Sequence, residues 1–230
     1  SPTAHDFAAE LATLRGELAT QGKRVRDLVE AALDAFFAAD NERAAEAIAS
    51  DEQIDAADVA IEQAAVDLLS AVAKDANPIK DAGLRGVLNL VKINNEYERI
   101  ADAGVTVAES VIDITGNTAR LPITARVMTN SVVGILRDVV KAYNTQDATL
   151  ARLVLQSEGT VSMFKAEILR SAEQAVAQGD MPVDLAFGLH EIASQCLLIV
   201  DHCTNVAEQV IFESTGVIVR HRAGEWIERA

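Results

Sequence analysis

An internal repeat constrains this chain more than any other feature. The apolar series Leu90, Ile93, Tyr97, Ile100, Gly104, Val107 and Val111 returns 99 residues later as Leu189, Ile192, Cys196, Ile199, Cys203, Val206 and Val210. In both copies the steps alternate three and four, the spacing of a helix with one coiled-coil-like buried seam. The same shift maps Asp102 onto Asp201 and Val107-Ala108-Glu109 onto Val206-Ala207-Glu208. Each copy is followed by Thr-Gly, at Thr115-Gly116 and Thr215-Gly216. A shift of 107 pairs Ile54 with Val161 and Ile61 with Ile168. A helix with one apolar stripe must bury it, and three such helices can do so around a shared core. The repeat therefore predicts an all-α fold of two tandem three-helix bundles. The first covers residues 1–117, and the second covers 118–230 with a C-terminal tail.

Six long helices follow from the periodicity and its interruptions. They run over about Asp6–Ala39, Asn41–Lys74, Lys80–Ile114, Pro122–Tyr143, Asp147–Ala177 and Val183–Ser214. Asp40 and Asn41 break the first stripe and can cap the second helix. Asn77-Pro78, Thr115-Gly116-Asn117, Gly179-Asp180 with Pro182, and Thr215-Gly216 supply the other stops. The tail to Ala230 is less regular. Aromatic residues are only 4% of the chain, and four prolines and twelve glycines are too few for a many-stranded all-β fold.

The formal charge of −15 excludes some partners and admits others. Such a surface repels the phosphate backbone of nucleic acids and an anionic membrane face. It suits cations and basic protein surfaces. No stretch approaches the roughly 20 apolar residues of a membrane span, and the opening residues lack the pattern of a secretory signal. Cys196 and Cys203 lie seven residues apart on one helix. That is about 10 Å along the axis, too far for a disulfide. They read as buried thiols in a reducing cytoplasm.

Two acidic pairs stand out. Asp51 and Asp55 lie early in the second helix, and Glu98 and Asp102 sit midway along the third. A spacing of four puts both members of a pair on one face, about 6 Å apart. Antiparallel packing of these two helices would bring four carboxylates together. Like charges so placed repel unless a cation relieves them. Oxygen-only ligands favour hard ions: iron, manganese, magnesium or calcium. Such pairs also occur on solvated helix faces, so spacing alone does not decide between the two.

Catalytic motifs are missing. The chain has no phosphate-cradling loop, dinucleotide fingerprint, HExxH, paired CxxC or GxSxG elbow. None of its four histidines has Glu three residues before it, which argues against a ferritin-like di-iron site. In the run Asp201-His202-Cys203, consecutive side chains point about 100° apart and do not converge. No catalytic residue and no organic cofactor are expected.

The run Tyr97-Glu98-Arg99-Ile100-Ala101-Asp102, followed by Ala108-Glu109, resembles the ERIADxxxxxAE signature of PhoU proteins. The stretch Ile199 to Glu208, then Thr215-Gly216 and Arg220-His221, is similar in the second copy. Phe7, Leu11 and Leu14, and Asp40 before a helix bearing Asp51-x-x-Ile54-Asp55, also look like that family. The resemblance covers nearly the whole chain. It implies two similar three-helix bundles, often paired into homodimers, in a cytoplasmic regulator of phosphate uptake. It implies binding to a phosphate transporter ATPase subunit and a sensor histidine kinase, with negative regulation of the phosphate-starvation response. It also implies metal-binding acids: Asp51, Asp55, Glu98 and Asp102 match the pattern in the first unit. In the second unit only Glu158 and Asp201 survive, because Ser162 and Leu197 occupy the other two positions. One competent metal site and one weak or missing site are therefore expected. Leu84-Arg85 also sits further from Pro78 than the family's usual spacing.

Overall fold

The structure, a computed structural model, describes residues 6–74, 81–113, 121–222 and 225–229. The first bundle comprises α1 (Phe7–Ala38), α2 (Asn41–Lys74) and α3 (Asp81–Asp113). The second comprises α4 (Ile123–Thr145), α5 (Ala148–Leu155), α6 (Glu158–Ala177) and α7 (Val183–Thr215). The stops expected at Asn77-Pro78 and Thr115-Gly116, and the unit boundary at 117/118, lie outside the described residues.

Local chemistry sets the helix ends. Asp6 caps α1 by accepting from the Ala9 N–H at 3.2 Å. The α1 helix closes through Ala39 in the left-handed region, with the Asp40 N–H donating to the Ala35 carbonyl at 3.0 Å. Asp40 then caps α2 through the Arg43 N–H at 3.0 Å, so one short turn reverses the chain. Asp147 caps α5 in the same way through Thr149 and Leu150.

Two expectations are corrected here. The fifth helix, expected unbroken over Asp147–Ala177, is two helices separated at Gln156-Ser157. Ser157 and Gly159 are both weak helix formers, and together they make the interruption inexpensive. The C-terminal tail forms an antiparallel hairpin of β1 (Ile218–Arg222) and β2 (Glu225–Arg229), with Ile218 opposite Arg229. Val219 of β1 is buried, and β1 packs on α7.

The core does not divide between the bundles. α1 packs on α3, α3 on α7, α7 on α4, and α4 back on α1. These four helices form a central ring, and α2 and α6 flank it from outside. One continuous set of buried side chains runs through both units. By length and composition α7 is apolar enough to cross a membrane, unlike the expectation that no stretch qualifies. Its seam residues, Leu189, Ile192, Cys196, Ile199, Cys203, Val206 and Val210, are instead buried where α7 packs on α3, α4, α5 and α6, while Val183, Phe187 and Leu198 are exposed.

Two glycines permit the close approach of α3 to α1. A Cβ on Gly104 would lie 2.5 Å from Leu28 Cδ2, and one on Gly22 would lie 2.8 Å from the Tyr97 hydroxyl. Gly22 is thus the slot that receives Tyr97, which is completely buried.

Candidate functional site: an acidic ledge on two antiparallel helices

α2 and α3 run antiparallel, and Asn94 fixes their register. Its Nδ2 donates to the Asp58 carbonyl at 3.0 Å and to Asp58 Oδ1 at 2.6 Å. Counting outward from this pair brings Glu98 towards Asp55 and Asp102 towards Asp51. Both acidic pairs therefore share one ledge on the outer side of the first bundle.

The ledge is electrostatically strained. The Asp51 carboxyl is held above the usual carboxylate range, first by partial burial and then by Asp55 and Asp102. Burial also raises Glu98, with further contributions from Asp102 and Asp58, while Arg99 opposes them. Burial, then Glu62 and Asp55, raise Asp58. Buried Asp51 Oδ1 and Asn94 Oδ1 have no hydrogen-bonding partner. Asp51, Asp58 and Glu98 are thus held towards the protonated form, by burial first and by neighbouring carboxylates second.

Sequence reasoning did not include Asp58. Its signal was available: it stands seven residues after Asp51 and three after Asp55, on the same face. The donor set, all carboxylate and carbonyl oxygen, suits a hard cation. Among the described residues, however, no three Asp, Glu, His or Cys side chains converge tightly enough to hold one.

The second unit differs in kind. Glu158 opens α6, directly after the break in the helix, and Asp201 is exposed on α7. A shift of 107 places Lys165 where the first unit has Asp58, so a fixed cation stands where the ledge carries a carboxylate. Of the Asp201-His202-Cys203 run, Asp201 faces solvent and Cys203 is fully buried. His202 turns instead to the other unit, donating through Nδ1 to Glu96 Oε2 at 2.7 Å. Asn205 donates to the same oxygen at 3.1 Å. Glu96 thus ties α3 to α7. Arg15 of α1 pairs with the mostly buried Glu213 of α7, giving a second polar tie between units. Both cysteines are free and buried.

These features define a class: a helical repeat protein of two fused three-helix units, with an acidic ledge on one. The PhoU domain model matches residues 18–111 and again residues 125–210, and the chain belongs to the PhoU family. A phosphate-specific transport system accessory protein PhoU homolog of Zymomonas mobilis is 27% identical over 215 residues, covering 93% of this chain and 89% of that protein. The homolog 1 protein of Thermotoga maritima is 24% identical over 212 residues, covering 91% and 89%. The crystal structure of PhoU from Pseudomonas aeruginosa superposes with a TM-score of 0.85 at 25% identity, over 92% of this chain and all of that one. The phosphate transport system regulatory protein PhoU from Streptococcus pneumoniae has the same fold, with a TM-score of 0.84 at 19% identity over 94% of this chain and all of that one.

Proposed function

We propose that this chain is a cytoplasmic adaptor of phosphate uptake that acts by binding and carries out no turnover. The observation that carries this reading is the double match to the PhoU model, one per repeat. The relatives' names as accessory proteins of phosphate-specific transport support it. In this reading the chain binds the ATPase subunit of a phosphate transporter and a sensor histidine kinase, represses the starvation response, and works as a homodimer. Purified chain, titrated with each of those two proteins and followed by sedimentation, tests it. Binding to both, with a homodimer in their absence, is the expected result. A monomer that binds neither overturns the reading.

The acidic ledge is proposed to take a hard cation, held by Asp51, Asp55, Glu98 and Asp102 with Asp58 beside them. The partnerless Asp51 oxygen and the mutual repulsion of the acids support this. Binding would draw the side chains together and lower their pKa values. The second unit, with Glu158, Asp201 and Lys165, would take a cation weakly or not at all. Elemental analysis of untagged protein after soaking in iron, manganese and magnesium reads this out. Metal that is lost on Asp51→Ala with Glu98→Ala is expected. No retained metal in the wild type rules the site out.

A further inference from the structure

The largest exposed aromatic of the described residues lies far from the acidic ledge. Phe187 is 69% exposed and Val183, one turn before it, is 52% exposed. Both stand at the start of α7, where α6 ends against it after a short reversal. Between the two helices is a cavity of about 510 Å³, lined by Leu169 and Val176 of α6 and by Val183 and Phe187 of α7. Glu173 and His190 lie at its edge. The groove spans the last two turns of one helix and the first two of the next. That is about 10 Å, the length that three or four side chains on one face of a third helix occupy.

Leaving Phe187 and Val183 in water is unfavourable, and a partner that covered them would remove that cost. The surroundings say what kind of partner that is. Glu173 lines the groove, and over the stretch that supplies its lining, Leu169 to His190, the chain carries Glu173, Asp180 and Asp184 against Arg170. A second copy seated in this groove would set Glu173 and Asp184 of one chain near the same acids of the other, whatever face the homodimer uses elsewhere. A helix with an apolar stripe and basic flanks meets both the groove and its rim.

We infer that the groove between the end of α6 and the start of α7 is a docking site for a basic amphipathic helix of a partner protein. This rests on the adaptor reading in that it supplies one of that adaptor's contact surfaces. It involves neither the acidic ledge nor any metal.

The test uses a synthetic probe, so that its outcome is independent of the transporter and kinase. The probe is a fluorescent peptide of about 18 residues, five helical turns. Leucine occupies its i, i+3, i+4 and i+7 positions, and lysine the rest. A peptide of the same composition with scattered leucines and a leucine–glutamate peptide serve as comparisons. The ordered leucine–lysine peptide is expected to bind best. Phe187→Ala should weaken it about tenfold or more, as loss of a central aromatic anchor does. Leu88→Ala, which removes an exposed side chain at the matching position of the first repeat, should leave it unchanged. Both replaced side chains are exposed, and unchanged melting curves show that both variants fold. Equal binding of the scattered-leucine peptide would overturn the inference. So would an unaffected Phe187→Ala, or an equal loss in Leu88→Ala. Conversion of a dimer to a monomer by Phe187→Ala would assign the groove to a second copy instead.

Discussion

At the scale of single residues, close packing governs. Gly104 admits no Cβ without moving Leu28 and the Val29 side chain. Gly104→Ala is therefore expected to destabilise the protein by about 1–3 kcal/mol despite alanine's better helix propensity. A denaturant titration measures it, and a stabilised variant would contradict the geometry. The Tyr97 hydroxyl is buried with no hydrogen-bonding partner. Tyr97→Phe removes a desolvated polar group and should leave stability unchanged or raise it. Burial pushes the Cys196 thiol up to about 12. Burial, with a further push from Glu96, raises Cys203 above its ordinary value. Only the thiolate reacts quickly. Neither cysteine should be alkylated appreciably in native protein at neutral pH, and both should react once denaturant is added. Fast labelling of native protein would show that the α7 seam opens.

At the scale of helices, the α2–α3 pair carries the electrostatic strain. Asp51, Asp58 and Glu98 have folded-state values above those of the unfolded chain. The folded state thus binds more protons within that window, and stability falls as pH rises through it. The contribution is fully present below the ordinary carboxylate range and is lost above the raised values. In a chelating buffer, thermal melts from about pH 4, the ordinary carboxylate range, up to about pH 7 should show wild-type stability falling relative to that of Asp51→Asn with Glu98→Gln. Parallel curves would mean that the ledge is well solvated. The spacing of Asp51 and Asp55, and of Glu98 and Asp102, made each pair legible as one helix face; that α2 and α3 pack antiparallel and join the two faces came from the structure. The place of Asp58 on the same face was legible too, but its hydrogen bond from Asn94 was not, because Asn94 stands on the neighbouring helix.

At the scale of the molecule, the two units are joined by α3 against α7, with Glu96 accepting from His202 and Asn205 at that seam. Glu96→Ala strands two donors in a mostly buried place and should cost about 1–3 kcal/mol. Hydrogen exchange should rise along both α3 and α7; a change confined to α3 would mean that the units are not coupled there. The sequence alone determined the helical class, the repeat and the main seam of the third and sixth helices of its six-helix reading. The flanking buried row, such as Ala101, Ala108, Ala193, Val200, Ala207 and Ile211, came from tertiary packing. Class, repeat and seam follow from periodicity, and periodicity is local. It also located the two acidic pairs, since a spacing of four lies on one helix. It could not decide the break at Gln156-Ser157, the C-terminal hairpin or the ring of α1, α3, α7 and α4. An apolar stripe reads alike whether it faces its own bundle or its neighbour, so which helix meets which was settled only when both units shared one core. For the same reason, the Glu96–His202 tie and the apolar groove between α6 and α7 came from tertiary structure, which brings together residues that no sequence spacing connects.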